Sequence, residues 1–156
     1  MNKVDENVKE AFVVFTEFIK WYNLNVKNLN QDGLVRYSDS CGYYIINKSH
    51  VYFYINSFKN TNFVSENFIN ILKDEFDSFG NYLEEEKLDL ESDGMIGFEA
   101  DLIYKEQDVD YNIDLSQIKL DEIKIFKDKL EIITDNPFFF VNFSKSNKGR
   151  WLIDSL

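Results

Sequence analysis

With 156 residues, 44% of them hydrophobic and 17% aromatic, the chain can bury a core of its own, and it is read as one domain over residues 1–156. Its 28 acidic residues against 17 basic ones leave a formal charge of −11, which disfavours a nucleic-acid backbone as partner and suits a basic protein or simple solubility. The single Cys41 excludes an internal disulfide framework and leaves the redox compartment open, and no apolar run approaches the roughly 20 residues of a membrane helix.

The first seven residues carry Asp5 and Glu6 where a signal peptide would have a basic segment before an apolar run, so no leader is expected. The chain as given is expected to be soluble, and cytoplasmic or periplasmic depending on whether a leader once preceded it. Val8, Ala11, Phe12, Phe15, Phe18, Ile19, Tyr22 and Val26 recur at the spacing of one buried helical stripe. Residues 28–33, ending in Gly33, supply its stop. Tyr43, Tyr44, Ile45 and Ile46 fit either a short strand or an extended loop. Ser49 is a plausible N-cap for a second helix with Val51, Tyr54, Ile55 and Phe58 on one face.

Ser65 caps a third helix, with Val64 and Ile69 placed as a hydrophobic staple and Glu66 near the positive helix end. Phe68, Leu72, Phe76, Phe79 and Leu83 continue its stripe, and Gly80 either ends the helix early or is tolerated inside it. From Leu120 the period changes to two, through Ile123 and Ile125, Leu130 and Ile132, then Phe139, Val141 and Phe143, then Trp151 and Ile153. Lys127 and Asp128 form a tight hairpin, Asp135, Asn136 and Pro137 a turn, and residues 146–149 another turn ending in Gly149. Helices first and a meander last predict an α+β fold, with N-terminal helices packed on a curved, cone-like antiparallel sheet whose main strands are C-terminal and whose face lies under the first helix.

Several motifs carry a family resemblance. They are Phe18-Ile19-Lys20-Trp21-Tyr22 in the first helix, Val64-Ser65-Glu66-Asn67-Phe68-Ile69 at the entry to the third, Asp101-Leu102-Ile103 followed by Gln107-Asp108, and the closing Gly149-Arg150-Trp151-Leu152-Ile153-Asp154. In their order and spacing the chain resembles the nuclear transport factor 2-like, cystatin-like cone, and within it an uncharacterised group of small bacterial proteins that includes many envelope lipoproteins. That resemblance implies a pocketed scaffold with a binding role and names no activity. The lipid-anchoring Cys of the group has no counterpart at the start of this chain.

Each polar constellation also admits a plainer structural role. Asp101, Gln107 and Asp108 would line the open end of the cone, or else satisfy loose backbone groups at a junction. Trp21, Tyr22 and Trp151 form either a pocket wall or the seam between first helix and last strand, and the seam is favoured. Asp89, Glu91, Asp93 and Gly94 resemble the start of a calcium loop, but its twelfth position is Ala100, flanked by Glu99 and Asp101, so a solvated acidic loop is preferred and neither metal nor cofactor is expected. His50 at a helix start reads as a surface or capping residue rather than a catalytic acid/base, and Cys41 as a small buried hydrophobe rather than a reactive thiol.

The acidic excess is concentrated: residues 84–114 hold twelve carboxylates against Lys87 and Lys105, a local net of −10. That segment, with Glu84, Glu85 and Glu86 at its start, leads to the functional expectation of a non-catalytic binding module that engages a basic protein, an immunity-protein-like inhibitor being the concrete form. The alternative is a small-ligand or acid/base site in the cone with Asp101 as base. Because neighbours in a strand face opposite sides, a core Phe139 leaves Phe138 and Phe140 in need of a cover, and a sheet-mediated homodimer would provide one.

Overall fold

The computed structural model of the chain describes residues 3–94, 96–135 and 138–156. Helix α1 (Lys3–Leu29) is followed by a 3-10 turn (Gln31–Leu34) and a hairpin of β1 (Val35–Ser38) and β2 (Tyr43–Ile46). Helices α2 (Lys48–Lys59) and α3 (Glu66–Glu86) come next, then a long irregular segment with one further 3-10 turn, Leu115–Gln117. The chain closes with β3 (Leu120–Phe126), β4 (Lys129–Thr134), β5 (Phe140–Lys145) and β6 (Trp151–Ser155). These four strands form an open antiparallel sheet in simple sequence order. The architecture is the α+β arrangement expected from helical periodicity followed by strand periodicity.

Each boundary has a local cause. Asn30 takes a left-handed φ of 47° after α1, and His50 Nε2 lies 2.9 Å from the carbonyl oxygens of both Leu29 and Asn30, capping the C-terminal end of that helix. The expected Ser49 cap of α2 is corrected: the N-cap is Asn47, whose Oδ1 accepts from the His50 backbone N–H and from the Ser49 hydroxyl. Asn47 prevails because its Nδ2 also donates to the Gly33 carbonyl at 3.1 Å, tying the helix start to the preceding turn. At α3, Ser65 Oγ accepts from the Phe68 N–H, as the capping pattern requires. Gly80 lies inside α3, where a Cβ would come within 3.2 Å of Ile46 Cγ1, so its lack of a side chain seats β2 against the helix.

One face of the sheet is the core. Leu130, Ile132, Val141, Phe143, Trp151 and Ile153 meet Ala11, Phe15, Phe18 and Ile19 of α1, and the Phe15 and Phe139 rings make an edge contact at 5.1 Å. Full burial of each such side chain is worth about 1.5–3 kcal/mol. Trp151 and Ile153 therefore lie under the first helix as the period-two pattern requires. A smaller cluster of Phe79, Leu83 and Leu88 joins α3 to the hairpin through Tyr44 and Ile46. The two-residue turn at Lys127 and Asp128 is present, with Lys127 at a φ of 51°. Gly149 takes a φ of 76° in the last turn. Of the turn expected at Asp135, Asn136 and Pro137, the last two lie outside the described residues.

Candidate functional site

Asp101 is the centre of the polar interior. Its Oδ1 accepts the backbone N–H groups of Ile103 and Tyr104, both at 2.8 Å, and its Oδ2 accepts the phenol hydroxyls of Tyr22 and Tyr111, both at 2.7 Å. Those four bonds fill the acceptor sites of a carboxylate, and the residue is only 8% exposed. Serving as a general base would require it to give up one of them. Tyr104 donates to Asn23 Oδ1 at 2.8 Å, and the Gln31 side-chain amide both donates to the Ala100 carbonyl and accepts from the Leu102 N–H, at 2.9 Å each. Residues 100–104 are thus pinned to α1 and its following turn from both sides.

The tyrosines around Asp101 stay protonated well beyond the ordinary phenol range. Burial raises Tyr22, with the nearby Tyr54 and the Asp101 charge adding to it, and burial likewise raises Tyr54 and Tyr111. Tyr104 is pushed up to about 12, again chiefly by burial. The Tyr54 hydroxyl is buried close to this group without a hydrogen bond of normal geometry.

Residues 98–101 separate two open grooves. One, of 370 Å³, is bounded by Val26, Gln31, Asp32, Gln107 and Tyr111. The other, of 710 Å³, is walled by Ile71, Phe79 and Tyr82 of α3 and by Phe98 and Leu102, with Asp74, Glu75 and Glu99 at its rim. Lys105 also lines this groove and pairs with Glu75 Oε1 at 3.0 Å, leaving Glu75 Oε2 buried without a partner. Residues 71, 75, 78, 79 and 82 recur at helical spacing along one face of α3, and Glu85 and Glu86 continue that face one turn further.

The expected site residues are distributed rather than gathered. Asp101 is interior, whereas Gln107 edges the first groove and Asp108 is exposed on the loop beyond it. Tyr22 reaches Asp101, but half-buried Trp21 packs edge-on against Phe58 of α2 at 5.3 Å, and Trp151 lies by Val13 and Val14 towards the middle of α1 with Lys145 Nζ 4.9 Å from its ring centre. These three aromatics do not line a common pocket. Glu84, Glu85 and Glu86 are all exposed at the end of α3.

The calcium-like start folds as a local turn, in which Asp89 accepts from the Ser92 hydroxyl and the Glu91 N–H; these bonds hold its carboxyl below the usual range. Among the described residues no three acidic, His or Cys side chains converge on one point. Cys41 is corrected from buried to exposed, because it sits in the β1–β2 turn, where the Ser38 and then the Ser40 hydroxyl lower its thiol below the ordinary value. No described helix is long and apolar enough to cross a membrane.

Tyr104, Tyr111 and Gln31 were not singled out by sequence reasoning, because their roles depend on contacts across 10 to 81 positions of chain. For the two tyrosines the only sequence trace is the density of tyrosine itself. Compared with models of protein families, with curated proteins and with solved structures, the chain matches none.

Proposed function

We propose that the protein is a non-catalytic binding module of the nuclear transport factor 2-like type, which holds a basic protein partner in the groove beside α3. The observation that carries this reading is an apolar wall, formed by Ile71, Phe79, Tyr82, Phe98 and Leu102, with Asp74, Glu75 and Glu99 at its rim and Glu85 and Glu86 on the next turn of the same face of α3. A cationic segment with an apolar face suits both parts: its side chains bury against the wall while its charges meet the rim.

The position of Glu84, Glu85 and Glu86 supports the reading independently. They occupy the last turn of α3, where the helix dipole is negative and no basic residue lies within the turn, Lys87 following as the C-cap. Fold stability disfavours that placement, and a cationic partner relieves it. Neutralising a basic secreted toxin, in the manner of an immunity protein, is the concrete form this activity takes.

The experiment is charge reversal of Glu84, Glu85 and Glu86 to Lys, with affinity capture from the native cell at low and high salt. The variant is expected to be slightly more stable than the parent, by about 0.3–1 kcal/mol for the relieved dipole, and to lose the captured basic protein. Parent capture is expected to fall steeply with salt. Undiminished capture by the variant defeats the proposal.

A further inference from the structure

We propose that a second copy of this chain pairs with the open edge of β3, joining two four-stranded sheets into one across a twofold axis at Ile123. At the opposite edge, β6 is partly closed by the residues before α3: the Ile153 N–H donates to the Phe63 carbonyl and the Ser65 N–H to the Ile153 carbonyl, both at 2.9 Å. Strand β3 pairs only with β4 among the described residues, and all seven of its residues are exposed. Ile123 and Ile125 stand opposite the buried Ile132 and Leu130 and share their face, yet Ile123 is 41% exposed because the helices cover β4 and β6 and stop short of β3. A long edge with apolar residues invites strand addition, and charges on it decide which strand is accepted.

The charge pattern of β3 selects β3 itself. In an antiparallel pair centred on Ile123, Glu122 stands opposite the partner's Lys124 and Lys124 opposite the partner's Glu122, while Ile123 meets its own copy. Other centres fail. A centre at residue 122 or 124 sets like charges directly together, and a centre at 125 sets Glu122 against Asp128. Within one chain Lys124 already reaches Glu122 at 3.5 Å and Glu131 at 2.9 Å, so the pairing extends an existing line of alternating charge. The bulge between Leu120 and Glu122 disturbs only the end of the strand and leaves residues 122–126 in regular register. This contact is separate from the acidic groove and does not depend on the function proposed for it.

Light scattering of the full chain over a concentration series is expected to show a dimer. Glu122→Lys and Lys124→Glu each place two like-charged pairs across the axis and are expected to weaken dimerisation about tenfold. Mixing the two variants restores both opposite-charge pairs in a heterodimer and should recover the parent affinity. In a Cys41→Ser background, Ile123→Cys is expected to form a disulfide-linked dimer under mild oxidation, whereas Glu122→Cys is not. A chain that stays monomeric, a mixture no tighter than its components, or cross-linking through cysteines at positions 138 and 140 in place of 123 overturns the proposal.

Discussion

A buried carboxylate with four hydrogen bonds is a structural keystone before it is anything else, and Asp101 can be tested as one. Asp101→Ala strands the Tyr22 hydroxyl and two backbone N–H groups in the interior, and leaving such donors unpaired is expected to cost about 3 kcal/mol by urea unfolding. Tyr22→Phe removes one bond and is expected to cost about 1 kcal/mol. Tyr54→Phe removes a hydroxyl that makes no hydrogen bond of normal geometry, so its stability should stay within about 0.5 kcal/mol of the parent. If Tyr54→Phe proves as damaging as Tyr22→Phe, the two phenols share a hydrogen bond and this account of the cluster fails.

Among the elements, the caps show how a local preference is chosen. Asn47 and Ser49 are both good N-cap types two residues apart, and propensity alone ranks neither. The Gly33 carbonyl decides between them, because only Asn47 reaches it while also receiving the His50 N–H in the first turn of the helix. Asn47→Ala is therefore expected to cost about 1–2 kcal/mol and Ser49→Ala less than about 0.5 kcal/mol, read from chemical denaturation of each variant. Ser65, whose hydroxyl accepts from Phe68 and has no rival cap nearby, is expected to lose about 1 kcal/mol as Ala. Equal losses at positions 47 and 49 would return the α2 cap to Ser49.

Across the whole molecule, the tyrosine cluster ties α1, α2 and the irregular segment together, and it makes the fold sensitive to alkali. Burial raises Tyr22, Tyr54, Tyr104 and Tyr111 above the ordinary phenol value of 10.0. For an acid whose folded pKa is raised, the unfolded chain loses its proton first. The cluster's contribution is thus intact below pH 10 and falls as pH climbs towards the folded values. Part of the phenolate absorbance is expected to appear only in a cooperative step that coincides with loss of near-ultraviolet ellipticity. A smooth phenolate titration with ellipticity retained would mean that the cluster is open to solvent.

Much of this arrangement was legible in the chain, because periodicity reports which face of an element is buried. The α1 stripe, the Ser65 cap and the four closing strands follow from spacings of three to four and of two, and so does the burial of Trp151 and Ile153 beneath α1. The acidity of residues 84–114 was likewise plain from composition. What no local pattern could carry was which distant groups meet. The four bonds at Asp101, the clamp made by Gln31 and the separation of Trp21 from Trp151 arise only when residues far apart in sequence are brought together. The open edge of β3 belongs to the same class, since a period-two strand reads alike whether one neighbour flanks it or two, and only the tertiary structure shows on which side pairing stops.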